Sequence, residues 1–150
     1  MDHKKVIRET HLFEFVSDDI LTSMAKVAKE VDFSRGDLIF DEAEEAEYLY
    51  ILLNGKISMG VSLTSQPTNV TVSVVNAPNT IFGWSSIVTP YRFTAFAQCD
   101  EDTKVLAIPG EKILDILQQD PPTAYTVMKR LTELISSRLR DSRTVMLRTL

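Results

Sequence analysis

Short β-type segments enclosed by helical stretches predict a mainly β fold with flanking helices, an antiparallel barrel or roll with helices at its ends. Three observations carry this. Apolar runs alternate with turn signals through residues 33–109, whereas residues 10–32 and 110–150 show helical spacings of three and four. No repeat, low-complexity tract or linker interrupts the chain. Its 150 residues suit one domain with one core, divided into an N-terminal helical segment (1–32), a β-roll (33–109) and C-terminal helices (110–150).

The elements follow in order. Leu12, Phe13, Phe15 and Val16 lead into Ser17-Asp18-Asp19, a polar N-cap cluster. Ile20, Leu21, Met24, Val27 and Ala28 then form the apolar face of a helix, so that residues 10–32 read as helical. Leu38–Phe40, Tyr48–Leu53, Ile57–Val61, Val70–Val75, Arg92–Cys99 and Lys104–Ile108 read as strands. In Val70–Val75 the three even-numbered valines alternate with Thr71 and Ser73, which predicts one buried face. Asn54-Gly55 between two apolar runs is the strongest hairpin signal. Beyond Gly110, Lys112–Leu117 makes a short helix, and Asp120-Pro121-Pro122 opens a long one running to about Leu147.

Composition narrows the function classes. A net charge of −5 argues against tight non-specific nucleic-acid binding. The single cysteine, Cys99, permits no internal disulfide and reads as a small strand residue. The start of the chain lacks a secretory signal and no stretch is long and apolar enough to span a bilayer, so a cytoplasmic protein with no membrane partner is expected. The only histidines, His3 and His11, precede the strands, which argues against a barrel metal site. No nucleophile elbow or phosphate-gripping glycine loop occurs, so no catalytic residue is assigned and an enzyme is not expected. The acidic run Asp41–Glu47 reads as a solvated hairpin turn.

The stretches Phe33-Ser34-Arg35-Gly36-Asp37-Leu38-Ile39-Phe40 and Tyr48 through Ile57, the block Ile81-Phe82-Gly83-Trp84-Ser85-Ser86 with Pro90-Tyr91-Arg92-Phe93-Thr94-Ala95, and Val105–Ile108 with the helix beyond stand in a telling order. Through them the chain resembles the cyclic-nucleotide-binding-like domains of the catabolite activator (CRP/FNR) superfamily over nearly its whole length. The resemblance implies a double-stranded β-helix (jelly-roll) with N-terminal helices and a long C-terminal helix. It also implies a regulatory ligand-sensing role in signal transduction, with a cyclic nucleotide or another small anion as the possible ligand. Two departures concern turns: Ala43 and Asn79 stand where the family usually has glycine. Asn tolerates the left-handed backbone region, whereas Ala43 tolerates it poorly, so the turn near Asp41–Glu47 is expected to differ in shape.

Two further departures concern the pocket. In relatives that bind cyclic nucleotides, a glutamate after the Phe-Gly pair takes the ribose hydroxyl, and an arginine before a small residue and Ala pairs with the phosphate. Here Trp84 stands in place of the glutamate and Phe93 in place of the arginine, with Thr94-Ala95 in register. Arg92 falls one residue early, which on a strand turns a side chain to the opposite face unless a bulge intervenes. The ligand-binding candidates are therefore Phe82, Gly83, Trp84, Ser85, Ser86, Arg92, Phe93, Thr94 and Ala95. A pocket re-tuned for another ligand, a dimerising adaptor whose pocket is filled by its own aromatics, and a cyclic AMP or GMP receiver using Arg92 all remain open.

On the last helix, Ala124, Met128, Leu131, Ile135, Arg138 and Ser142 follow a four-three rhythm. About 25 residues would reach about 37 Å at 1.5 Å per residue, further than the roll is expected to cover. The stripe then predicts a homodimer through Met128, Leu131, Ile135 and Leu139, against the alternative of a helix folded back on its own roll. Lys129, Arg130, Arg138, Arg140, Arg143 and Arg148 read as a solvated basic face. The superfamily's transcription factors carry a helix-turn-helix after this helix. The sequence stops at Leu150, so direct DNA binding is not expected.

Overall fold

A computed structural model describes residues 2–63 and 69–149. Helix α1 (His3–Arg8) starts from Asp2, whose side chain accepts the Lys5 amide. The chain does not then run as one helix to residue 32. Buried Thr10 donates its hydroxyl to Ile7 O at 2.7 Å and accepts the Phe13 amide, replacing the next helical turn by a local bond. Helix α2 (Asp18–Val27) begins at the expected cluster, with Ser17 as cap and Asp18 and Asp19 in the first turn. Residues 29–32, included in the helical reading, form with Phe33 strand β1 (Lys29–Phe33), paired with the last strand.

Seven further strands follow: β2 (Leu38–Phe40), β3 (Tyr48–Asn54), β4 (Ile57–Ser62), β5 (Asn69–Val75), β6 (Ile81–Phe82), β7 (Phe96–Cys99) and β8 (Thr103–Pro109). They make two antiparallel four-stranded sheets, ordered β1-β8-β3-β6 and β2-β7-β4-β5, in the expected jelly-roll class. Helices α3 (Gly110–Gln118) and α4 (Pro121–Thr149) close the chain. The strand expected from Arg92 begins only at Phe96.

Why β3 and β8 are almost continuously apolar becomes plain from their two faces. Tyr50, Leu52, Val105 and Ala107 point into the roll, where they meet Phe40, Phe82, Phe93 and Ala97. Leu49, Ile51, Leu106 and Ile108 point the other way, onto a layer built by Phe13, Leu21, Met24, Ile113, Leu117, Val127 and Leu131. A sheet covered on both faces has no solvent-facing register to fill with polar residues.

One expectation about β5 is corrected. A register irregularity between Met59 and Gly60 pairs Met59 with Ser73 and Gly60 with Thr71, so Val72 is the extra residue. Such a bulge switches faces beyond it. Val74 is exposed, while Val72 and Ser73 both turn toward the interior.

Candidate functional site

The site grows from a turn. Gly83 adopts a left-handed conformation (φ 77°), and a Cβ there would stand 2.9 Å from the Tyr50 ring. Only glycine accepts both the backbone and the close approach. That turn launches a short 3₁₀ helix, Trp84–Ile87, which presents Trp84 and Ser85 to a cavity of about 280 Å³. The volume falls just below the usual range for ligand pockets, about 300–1,000 Å³. Phe40, Met59, Val61, Val72, Ser73, Phe93, Thr94 and Ala95 line it as well. Helix α4 contributes the remaining wall, through Arg138, Ser142 and Met146.

Of the nine ligand-binding candidates, six line this cavity: Gly83, Trp84, Ser85, Phe93, Thr94 and Ala95. Phe82 lies fully buried in the roll core, stacked on Tyr50 at 5.2 Å between ring centres. Ser86 is buried and donates its hydroxyl to Gly83 O at 3.0 Å, bracing the turn from behind. Arg92 faces out of the cavity: its guanidinium donates to Ala43 O at 2.9 Å. The reason is the clamp between its segment and the acidic turn. Phe93 donates its amide to Glu44 O, Ala43 to Phe93 O and Ala46 to Tyr91 O, at 3.0, 2.8 and 2.8 Å. Those bonds fix the register, and Arg92 falls on the outer face.

Ala43 occupies the left-handed region, with φ 64°, as does Asn79 with φ 68°. Its amide donates to Phe93 O and its carbonyl accepts from the Arg92 guanidinium, and these two bonds hold it there. Phe93 is buried, and its ring stacks on Phe40 with centres 3.6 Å apart and planes within 8°.

Sequence reasoning missed Arg138. Read as part of a solvated basic face, it is instead half-buried, lines the cavity and hydrogen-bonds Ser73 Oγ at 2.5 Å. It is the only charged side chain among the described residues that line this cavity. Its signal was its place on the apolar stripe of α4, in step with Leu131 and Ile135. Leu131 also needs correction as an interface residue: at 2% exposed it belongs to the chain's own core, with Met128 and Ile135 packed against it. Of the four interface candidates only Leu139, at 69%, stands free on the surface. Cys99 is a buried strand residue, and burial pushes its thiol pKa up.

The chain is thus a two-sheet roll with a small cavity bordered by its long terminal helix. Residues 30–120 match the family described as the cyclic nucleotide-binding domain, and the chain belongs to that family. A CRP-like cAMP-activated global transcriptional regulator of Mycobacterium tuberculosis is 23% identical over 136 residues, which cover 91% of this chain. The chain spans 58% of that relative's length. The sensor domain of the transcriptional regulator DNR from Pseudomonas aeruginosa shares the fold at a TM-score of 0.78, with 20% identity, 92% of this chain and 91% of that one covered. A cyclic nucleotide-binding domain from Methylobacillus flagellatus gives 0.79 at 18% identity, covering 99% and 82%. Among the described residues no helix is long and apolar enough to cross a membrane.

Proposed function

We propose that the chain is a regulatory ligand-sensing module with a re-tuned pocket, signalling through α4 and pairing with a second copy along that helix. The observation that carries this is the shared wall. Trp84 and Ser85 from the roll and Arg138, Ser142 and Met146 from α4 border one cavity, so a bound molecule touches sensor and output element together. Its lining is mostly apolar and aromatic, which favours a ligand with a flat apolar body. Pairing is supported by Tyr125, Leu139 and Leu147, each large, apolar and exposed on α4.

A second reading, an adaptor with a filled pocket, draws on the Phe40–Phe93 stack. Both rings line the cavity and still leave about 280 Å³ open, which favours the sensing reading. The Arg92-based receiver has no support from the geometry, since that guanidinium is engaged with Ala43 O.

Trp84 is the only tryptophan, so its emission reports on the cavity wall. Titration with cyclic AMP, cyclic GMP and a panel of small metabolite phosphates and carboxylates is expected to give a saturable change for at least one compound. The same compound should shift the monomer–dimer balance in sedimentation velocity. A flat response to the whole panel overturns the reading.

A further inference from the structure

The geometry points to Arg138, carried on α4, as the anion-holding residue of this cavity. We infer that the ligand is a small organic anion, one phosphate or carboxylate group on a flat apolar body. This rests on the reading of the cavity as a ligand site.

Three features converge. Arg138 uses one guanidinium N–H on Ser73 Oγ and carries four more donors. Among the described residues no carboxylate lies within ion-pairing distance of it. Its surroundings, Met59, Val61, Val72, Trp84 and Met146, offer no other charge. A guanidinium held against apolar walls without a counter-ion is poorly solvated, and an incoming anion relieves that through charge-assisted, bidentate bonds.

Hydroxyls complete the recognition. Ser142 stands one turn beyond Arg138 on the same cavity wall, and Ser85 and Thr94 stand on the roll side. They supply neutral donors around an anion without adding charge. The indole of Trp84 and the ring of Phe93 are left for the body of the ligand. Because the cation rides on the helix, electrostatic attraction acts on α4 itself rather than on the roll. The expected consequence is that charge on the ligand, more than its size, sets how strongly α4 is held against β5.

Calorimetry on the full chain with three probes tests this: cyclic AMP as a phosphodiester, 2-naphthoate as a carboxylate, and 2-naphthalenemethanol as a neutral body. At least one anion is expected to bind at least tenfold more tightly than the alcohol, and which one does so separates phosphate from carboxylate. Arg138→Met should weaken that anion at least tenfold and leave the alcohol unchanged, while Arg138→Lys keeps part of the affinity and Arg143→Met, exposed on the same helix, keeps all of it. A thermal melt of each variant reads folding separately. Undiminished anion binding by Arg138→Met, or an alcohol that binds as tightly as the anions, overturns the role of Arg138 and leaves the sensing site standing. Failure of all three probes to bind the unaltered chain, with no Trp84 response to the wider panel, overturns both.

Discussion

Ala43 shows how little sequence is needed to bend a family turn once backbone bonds over-determine it. The left-handed conformation costs an alanine about 1–2 kcal/mol, and the bonds to Phe93 and the Arg92 guanidinium hold it in place. Its side chain is exposed and packs against nothing that glycine would lose. Ala43→Gly is therefore expected to raise the urea midpoint, by about 1 kcal/mol of stability at an unchanged slope. Intrinsic preference marked Ala43 as a poor fit to this conformation, and the bonds to the facing segment are what local sequence does not report. Arg92 was partly legible: standing one residue early it was expected on the opposite face unless a bulge intervened, and it lies outside the cavity. What no local pattern reports is the clamp between residues 43–46 and 91–93 that fixes this register.

At the scale of elements, the hydrophobic periods carried most of the information. The apolar runs at Tyr48–Leu53 and Val105–Ile108 named the two central strands, and Ser17-Asp18-Asp19 named the start of α2. What stayed hidden were the features that break a period. Thr10 interrupts the N-terminal helix through a buried side-chain bond, and the bulge at Val72 turns Val74 outward. Helix α4 illustrates the limit most clearly, because one stripe serves two environments. Its first half completes the core through Val127 and Leu131, and its second half leaves Leu139 and Leu147 in solvent. A periodic pattern cannot say where cover ends. Leu131→Ala is expected to lower stability by about 2–5 kcal/mol in chemical denaturation. Leu139→Ala should leave the monomer within about 0.5 kcal/mol and weaken self-association in sedimentation equilibrium.

For the molecule as a whole, closure of the two sheets places Tyr50 among Phe40, Phe82 and Phe93, and burial pushes its phenol up to about 12, with smaller contributions from Tyr48, Glu44 and Glu47. In the unfolded chain the phenol titrates near 10. Between those values the unfolded state has released the proton that the folded state retains, so rising pH favours unfolding. The stability that depends on neutral Tyr50 is complete below about pH 10. It declines by up to about 1.4 kcal/mol per pH unit toward pH 12. Subtracting the pH profile of Tyr50→Phe from that of the parent should isolate this slope. A difference that stays flat from pH 9 to 12 would show the ring to be hydrated.

Gly110 opens α3 directly against the 3₁₀ turn: a Cβ there would stand 2.3 Å from Ser86 O and 2.7 Å from Ser86 Cβ. The indole-bearing segment and the hinge leading into the last helix thus meet backbone to backbone, with no soft side chain between them to absorb a displacement. Under the proposed sensing role, movement of Trp84 and Ser85 is expected to pass to α3 as a rigid push, and slack introduced at this joint to silence the output while leaving the cavity whole.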